Sequence, residues 1–253
     1  MIISELPMPL IPYFERDGVT IYHADCREVL PSLQSETIDM VLTDPPYLVS
    51  YDGRWGSDWG VIQGDTDPAW VAPVFAELWR LLRPDSLCLS FYGRPHADTF
   101  LNAWKTVGFR PVSLLVLVKD RWGLGHFSRN QHEPAYLLAK GHPSKPAAAI
   151  SDVLSWERPN PQFHPNQKPL GAISKLISTY TAAEANVLDP FCGSGTTLVA
   201  ARALGRRAIG IEIEERFCEL AALRLSQQLL DLTDGSGSPQ QLTFASSDGD
   251  GVG

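Results

Sequence analysis

The chain has 253 residues, 44% of them hydrophobic and 20% charged, with a net charge of −8. That content is too apolar for a disordered chain and sufficient for one domain with a sizeable core. The longest apolar run, 112–118, is far too short to span a bilayer, and Glu5 with several prolines stands where a signal peptide carries basic residues, so a soluble, cytoplasmic protein is expected.

Hydrophobic patterning predicts a first strand over 19–23, leading into His23-Ala24-Asp25-Cys26. A second predicted strand, 38–43, runs into Asp44-Pro45-Pro46-Tyr47. Two prolines fix two φ angles and remove two donors, so the Asp44 carboxylate and the neighbouring carbonyls form a rigid wall of acceptors. Tyr47 offers a flat ring beside that wall. A planar molecule with an exocyclic amine suits such a place, and nucleobases fit the description. The competing reading is a plain turn, because Asp-Pro and Pro-Pro are ordinary punctuation.

Residues 48–67, rich in Gly, Asp and Trp, are expected to form a mobile lid. Predicted helices over 68–82 and 95–107, stopped by Pro84 and Gly108, flank a strand over 86–92. Strands over 112–118 and 135–139 enclose the loop 120–133, and an antiparallel edge hairpin is the expected pairing. Region 94–168 holds ten Lys/Arg against five Asp/Glu, together with five of the six histidines, so the acidic excess lies elsewhere. Within it, His126, Ser128, Arg129, Asn130 and His132 combine phosphate-binding with base-reading side chains, a candidate DNA-facing set. Chance surface charge is the alternative. His132-Glu133 is no zinc-protease motif, since Tyr136 occupies the place of the second histidine.

Strands over 186–188 and 208–212 and a helix over 214–230 follow, and the alternation predicts an α/β fold with a mostly parallel sheet. The run from Asp189 through Phe191, Cys192, Gly193, Gly195, Thr196 and Thr197 reads as a second strand end with an acidic residue and a glycine turn. Leu198 replaces the third glycine of a dinucleotide fingerprint and no Lys follows, which disfavours NAD and ATP. Asp189 is suited to accept from a ligand ammonium, while the glycines let that ligand approach the backbone. Glu212, at the next strand end, is placed to hold two ribose hydroxyls; an acid serving a helix dipole is its alternative. Ammonium plus ribose describes S-adenosylmethionine. Cys26, Cys88, Cys192 and Cys218 are scattered, so reduced thiols and no structural metal are expected, with Cys192 a small filler of the turn. Residues 231–253 have the composition of a disordered tail.

In the order His23 to Cys26, Asp44 to Tyr47, His164-Pro165-Asn166-Gln167-Lys168-Pro169, Asp189 to Thr197 and Gly210-Ile211-Glu212, the chain resembles the amino-DNA methyltransferases of the permuted beta group. The resemblance implies a circularly permuted, seven-stranded, Rossmann-like sheet that begins at the usual third strand. It implies one methyltransferase domain over 1–230, with a small basic target-recognition insertion around 120–163. It also brings Asp44 and Asp189 to one crevice at the topological switch point.

The cofactor implied is S-adenosylmethionine and the partner double-stranded DNA. Asp44, Pro45, Pro46 and Tyr47 would be catalytic. Asp25, with Cys26 beside it, would touch the cofactor's adenine amine, and Gln167 and Lys168 would hold its methionine carboxylate. Asp189, Phe191, Gly193, Gly195 and Glu212 would form the rest of the cofactor site, assisted by Thr196 and Thr197. A solvated surface cation is the competing reading of Lys168. Asp at the first motif position usually accompanies adenine N6 methylation in that group; cytosine N4 is the alternative, with RNA or protein-glutamine methylation behind it. The insertion is small, so recognition is either short or completed by a second copy in a homodimer.

Overall fold

Runs of Val, Ile and Leu bounded by turn residues become strands of a single sheet in the computed structural model, which describes residues 10–48, 67–123, 127–156 and 168–233. The strands are β1 (Phe14–Arg16), β2 (Val19–His23), β3 (Ile38–Thr43), β4 (Leu82–Phe91), β5 (Arg110–Lys119), β6 (His132–Lys140), β7 (Val153–Trp156), β8 (Asn186–Asp189) and β9 (Arg207–Glu212). Their spatial order is β1-β2-β9-β8-β3-β4-β6-β5-β7. From β2 to β4 every neighbouring pair is parallel, while β6 runs antiparallel to both β4 and β5. β3 is buried at every position except Asp39, as a parallel strand covered on both faces must be.

Helices α1 (Cys26–Val29), α2 (Val71–Leu81) and α3 (Ala97–Val107) cover one face; α4 (Leu170–Tyr180), α5 (Thr196–Ala203) and α6 (Glu215–Thr233) cover the other. The helix α2 buries Val71, Val74, Phe75, Leu78 and Leu81, the stripe that a period of 3.6 residues gives. Pro68 and the Asp67 carboxylate, which accepts from the Ala69 amide at 2.9 Å, start the turn before it. Gly108, at φ +117°, ends α3 in a left-handed conformation that costs glycine little. The connection from β3 to β4 passes through α2, and that from β8 to β9 passes through α5 on the opposite face. Between β8 and β3 the winding therefore reverses, and a crevice opens at their carboxyl ends.

All seven predicted strands are present, but the sheet has nine among the described residues, not seven. β1 and β7 are the additions, three and four residues long, too short for a readable alternation. They also change the expected edge. β5 and β6 pair antiparallel as expected, yet β6 lies inside against β4, and β7 covers β5. The last helix extends through Thr233, three residues into the stretch expected to be a tail. Residues 49–66 of the expected lid and 234–253 of the tail lie outside the described residues.

Candidate active site at the β3 and β8 strand ends

Met40 faces Val187 and Val41 faces Leu188 across the ladder, so Asp44, just beyond β3, and Asp189, the last residue of β8, stand at adjacent strand ends. Both motifs thus share one edge of the sheet.

Both Asp44 carboxylate oxygens are engaged. The Tyr47 hydroxyl donates to Oδ1 at 2.6 Å, and the Lys168 ammonium donates to Oδ2 at 2.5 Å while lying 3.3 Å from the Tyr47 oxygen. Lys168 is only 11% exposed, which rules out the solvated-cation reading. Its nitrogen also sits 2.9 Å from Glu133 Oε2 and 4.6 Å from the centre of the Phe91 ring. Lys119 donates to the other Glu133 oxygen at 2.6 Å and lies over Trp156. Burial pushes Lys168 down, but Asp44, Tyr47 and Glu133 outweigh it and hold the ammonium well above an ordinary lysine. Burial likewise pushes Glu133 up, and the two lysines reverse that, leaving its carboxyl at about 2. For Tyr47, burial and then the Asp44 charge raise the phenol well above its usual value.

The chain around Tyr47 is held tightly. Leu48 follows it at φ +62°, a strained conformation for a non-glycine residue, and is buried. Gly93, just past β4, lies directly against Tyr47: a Cβ there would overlap the Tyr47 carbonyl oxygen and fall 2.9 Å from its Cβ.

On the β8 side, Asp189 is 3% exposed. It accepts from the Phe191 amide at 3.2 Å and from Thr197, and no cation pairs with it among the described residues. Burial raises its carboxyl to about 7. Glu212 Oε2 accepts from the Gly193 amide and Oε1 from the Glu214 amide, both at 2.9 Å, and burial raises this carboxyl too. The two strand ends are thereby tied across the turn. Gly195, at φ +77°, packs so close to α6 that a Cβ would fall 2.7 Å from the Ala221 Cβ. Gly193, at φ +49°, faces open space. Buried Arg224 donates to the Ser194 carbonyl and lies 3.2 Å from the Ser194 and Thr196 hydroxyls, so Thr196 serves the turn's own architecture. Phe191 meets Trp70 edge to face at 5.3 Å. Cys192 is buried, its thiol pushed far up by burial, as a filler would be.

Asp25 follows β2 and caps α1 through the Arg27 amide at 2.9 Å, with the Arg27 guanidinium on both of its oxygens. The Ala24 amide donates to the Glu212 carbonyl at 3.0 Å, which sets Asp25 next to Glu212 on the same edge. Cys26 is buried in the α1–α3 core, its thiol raised to about 12 by burial. Gln167 and His126 lie outside the described residues. Ser128, Arg129 and Asn130 are exposed in the loop after β5, with Arg129 5.9 Å over Trp122, and His132 opens β6. A surface hollow of about 390 Å³ near Arg16, Asn186 and Arg207 lies at the opposite strand ends and contains none of these residues.

Sequence reasoning missed Glu133, Lys119, Gly93 and Arg224. Only Glu133 left a trace, an acid among the apolar residues of a buried strand.

Chemically, the edge offers one carboxylate next to rigid carbonyls for an amine, and a second, buried carboxylate with open space over glycine for a cationic ligand. The family of DNA methylases of the N6/N4 type matches residues 38–223. A putative methylase of Escherichia coli K12, YubD, is 41% identical over 80% of this chain and 88% of its own. The type II methyltransferase M2.MboI of Moraxella bovis is 31% identical over 86% of this chain and 92% of its own. Among solved structures, the cytosine-N4-specific PvuII DNA methyltransferase superposes with a TM-score of 0.71, at 18% identity, over 87% of this chain and 93% of its own, a likeness of fold.

Proposed function

The chain belongs to the N6/N4 family of DNA methylases, and from that membership we propose that it transfers a methyl group from S-adenosylmethionine to N6 of adenine in double-stranded DNA. The adjacency of the Asp44 and Asp189 strand ends carries this reading.

The residues present fit the cofactor. Asp189 is a buried carboxylate with no cation among the described residues, and burial raises its carboxyl, so a ligand ammonium would meet no competing cation there. Glu212 keeps acceptor capacity beside it for hydroxyls, and the open face of Gly193 admits a ligand against the backbone. Asp189 would take the ammonium and Glu212 the ribose, with Asp25, Cys26, Phe191, Gly195 and Thr197 around them and Gln167 and Lys168 toward the carboxylate. When bound, S-adenosylmethionine supplies an electrophilic methyl group on sulfur.

An aromatic amine is a poor nucleophile because its lone pair is delocalised into the ring. Hydrogen bonds from the amine to the Asp44 carboxylate and the Pro45 carbonyl favour a pyramidal nitrogen and aim its lone pair at the methyl. As the N–C bond forms, the S–C bond would break to leave a neutral thioether, and the amine proton, acidic only at that point, would pass to the Asp44 carboxylate, which need not be a strong base. The target must first leave the duplex stack, and the Tyr47 ring offers it a new stacking surface. Ser128, Arg129 and Asn130, with His126 and His132, would contact the duplex from the loop after β5. After the short edge strand β1, the chain enters the parallel part of the sheet at β2 and fills β8 and β9 last, an order that supports the permuted beta-group reading. A homodimer would complete the footprint of this small recognition segment.

Adenine is favoured over cytosine because Asp44 holds the first motif position; the fold likeness to a cytosine-N4 enzyme keeps that base as the second reading. Incubation of the protein with labelled S-adenosylmethionine and, separately, DNA, RNA and protein tests the class. Mass spectrometry of nucleosides from the treated DNA tests the base: N6-methyladenine is expected, and methylcytosine alone would overturn adenine.

A further inference from the structure

The Asp44 carboxylate that the target amine needs is already engaged on both oxygens. Tyr47 donates to one and Lys168 to the other, so the amine competes with a buried ammonium for its hold on Asp44. An ammonium that is 11% exposed cannot simply return to water, and a buried cation deprived of its anion is strongly disfavoured. Among the described residues, the one other carboxylate within ion-pair distance is Glu133, whose Oε2 lies 2.9 Å from the Lys168 nitrogen. That oxygen is buried and its contact with Lys168 is an ion pair without good hydrogen-bond alignment, while Oε1 is already taken by Lys119. Lys168 thus already touches a second carboxylate, toward which a small shift of its nitrogen would complete the hydrogen bond.

Resting on the methyltransferase reading above, we infer that Glu133 is a positioning residue that receives the Lys168 ammonium when the target amine takes over Asp44. β6 makes this possible by bringing Glu133 to the same sheet edge, opposite Leu117 of β5 and two residues before Ala135, which faces Phe91 of β4. Lys119 is a competitor for the same carboxylate. Loss of the Glu133 charge would leave Asp44 as the one protein carboxylate paired with Lys168 among the described residues and tighten its hold on Asp44. Loss of Lys119 would strengthen Glu133's hold on Lys168 and free Asp44.

The test uses the full chain and its Glu133→Gln, Glu133→Asp and Lys119→Met variants, with unmethylated genomic DNA amplified in vitro. Single-turnover transfer is measured at saturating S-adenosylmethionine, with the cofactor Kd and the melting midpoint recorded for each. Glu133→Gln should slow transfer about tenfold or more, the scale of one charged hydrogen bond, with the cofactor Kd unchanged. Glu133→Asp should recover most of the rate, and Lys119→Met should exceed the parent. Overturning results are Glu133→Gln at the parental rate, which would mean that Lys168 moves to another anion such as the cofactor carboxylate, Glu133→Asp as slow as Glu133→Gln, or Lys119→Met slowed alongside them. If the parent itself transfers no methyl group to DNA, the functional reading fails, and this inference with it.

Discussion

Gly93→Ala tests whether the placement of Tyr47 sets the rate. The Gly93 backbone, at φ −73° and ψ 120°, is one that alanine adopts freely, so the substitution introduces a steric problem and no conformational one. The new methyl would fall 2.9 Å from the Tyr47 Cβ and overlap its carbonyl oxygen. Ordinary carbon–carbon contact is about 3.5–4.0 Å, so the Asp44–Tyr47 segment must retreat by about 1 Å. Misplacement on that scale costs about a hundredfold in turnover when geometry is the source of catalysis. Asp189 and Glu212 lie on other strands, so the S-adenosylmethionine Kd should stay within about twofold, the scatter expected of independent sites. The assay pairs single-turnover methylation of DNA with calorimetric titration of the cofactor, and a thermal melt confirms folding. A variant that transfers at the parental rate would show that this close approach has no part in positioning the motif.

Asp44→Ala removes the main acceptor for the amine and should abolish measurable transfer while cofactor binding persists; lost binding with residual turnover unaltered would contradict the assignment. Asp189, with its carboxyl near 7, should make cofactor affinity depend on pH. Pairing with an ammonium requires the ionised form, so Kd should rise about tenfold for each pH unit below 7 and level off above it, and Asp189→Asn should bind weakly with a flat profile in the same titrations. In the ligand-free protein the folded carboxyl holds its proton above the ordinary carboxylate value of about 3.9, so this group's contribution to stability is full at acid pH and lost as pH rises from about 4 to 7. Arg224→Ala strips the glycine turn of its anchor in α6 and leaves the Ser194 carbonyl without that donor. It should lower unfolding free energy by about 2–4 kcal/mol, read by urea denaturation, and weaken cofactor binding; an unchanged midpoint would count against the clamp.

Much of the fold is visible in local pattern because its signals are local. The buried run of β3, the stripe of α2 and the Gly108 stop each follow from residues within a turn or two of one another. Asp44-Pro45-Pro46-Tyr47 and the turn from Asp189 to Gly195 are legible for the same reason: prolines and glycines fix backbone geometry wherever they stand. β1 and β7 were not legible, since strands of three and four residues exist only through the partners that β2 and β5 provide.

The sequence by itself determined the alternation of strands and helices, the two strand-end motifs and the chemistry their side chains carry. Tertiary structure decided what surrounds them. Lys168 lies 124 residues from Asp44, and Glu133 reaches Lys168 only because β6 inserts antiparallel between β4 and β5. An ion-pair chain of this kind has no periodicity and no spacing rule; it comes from strand order and register, which hydrogen bonding across the whole sheet sets.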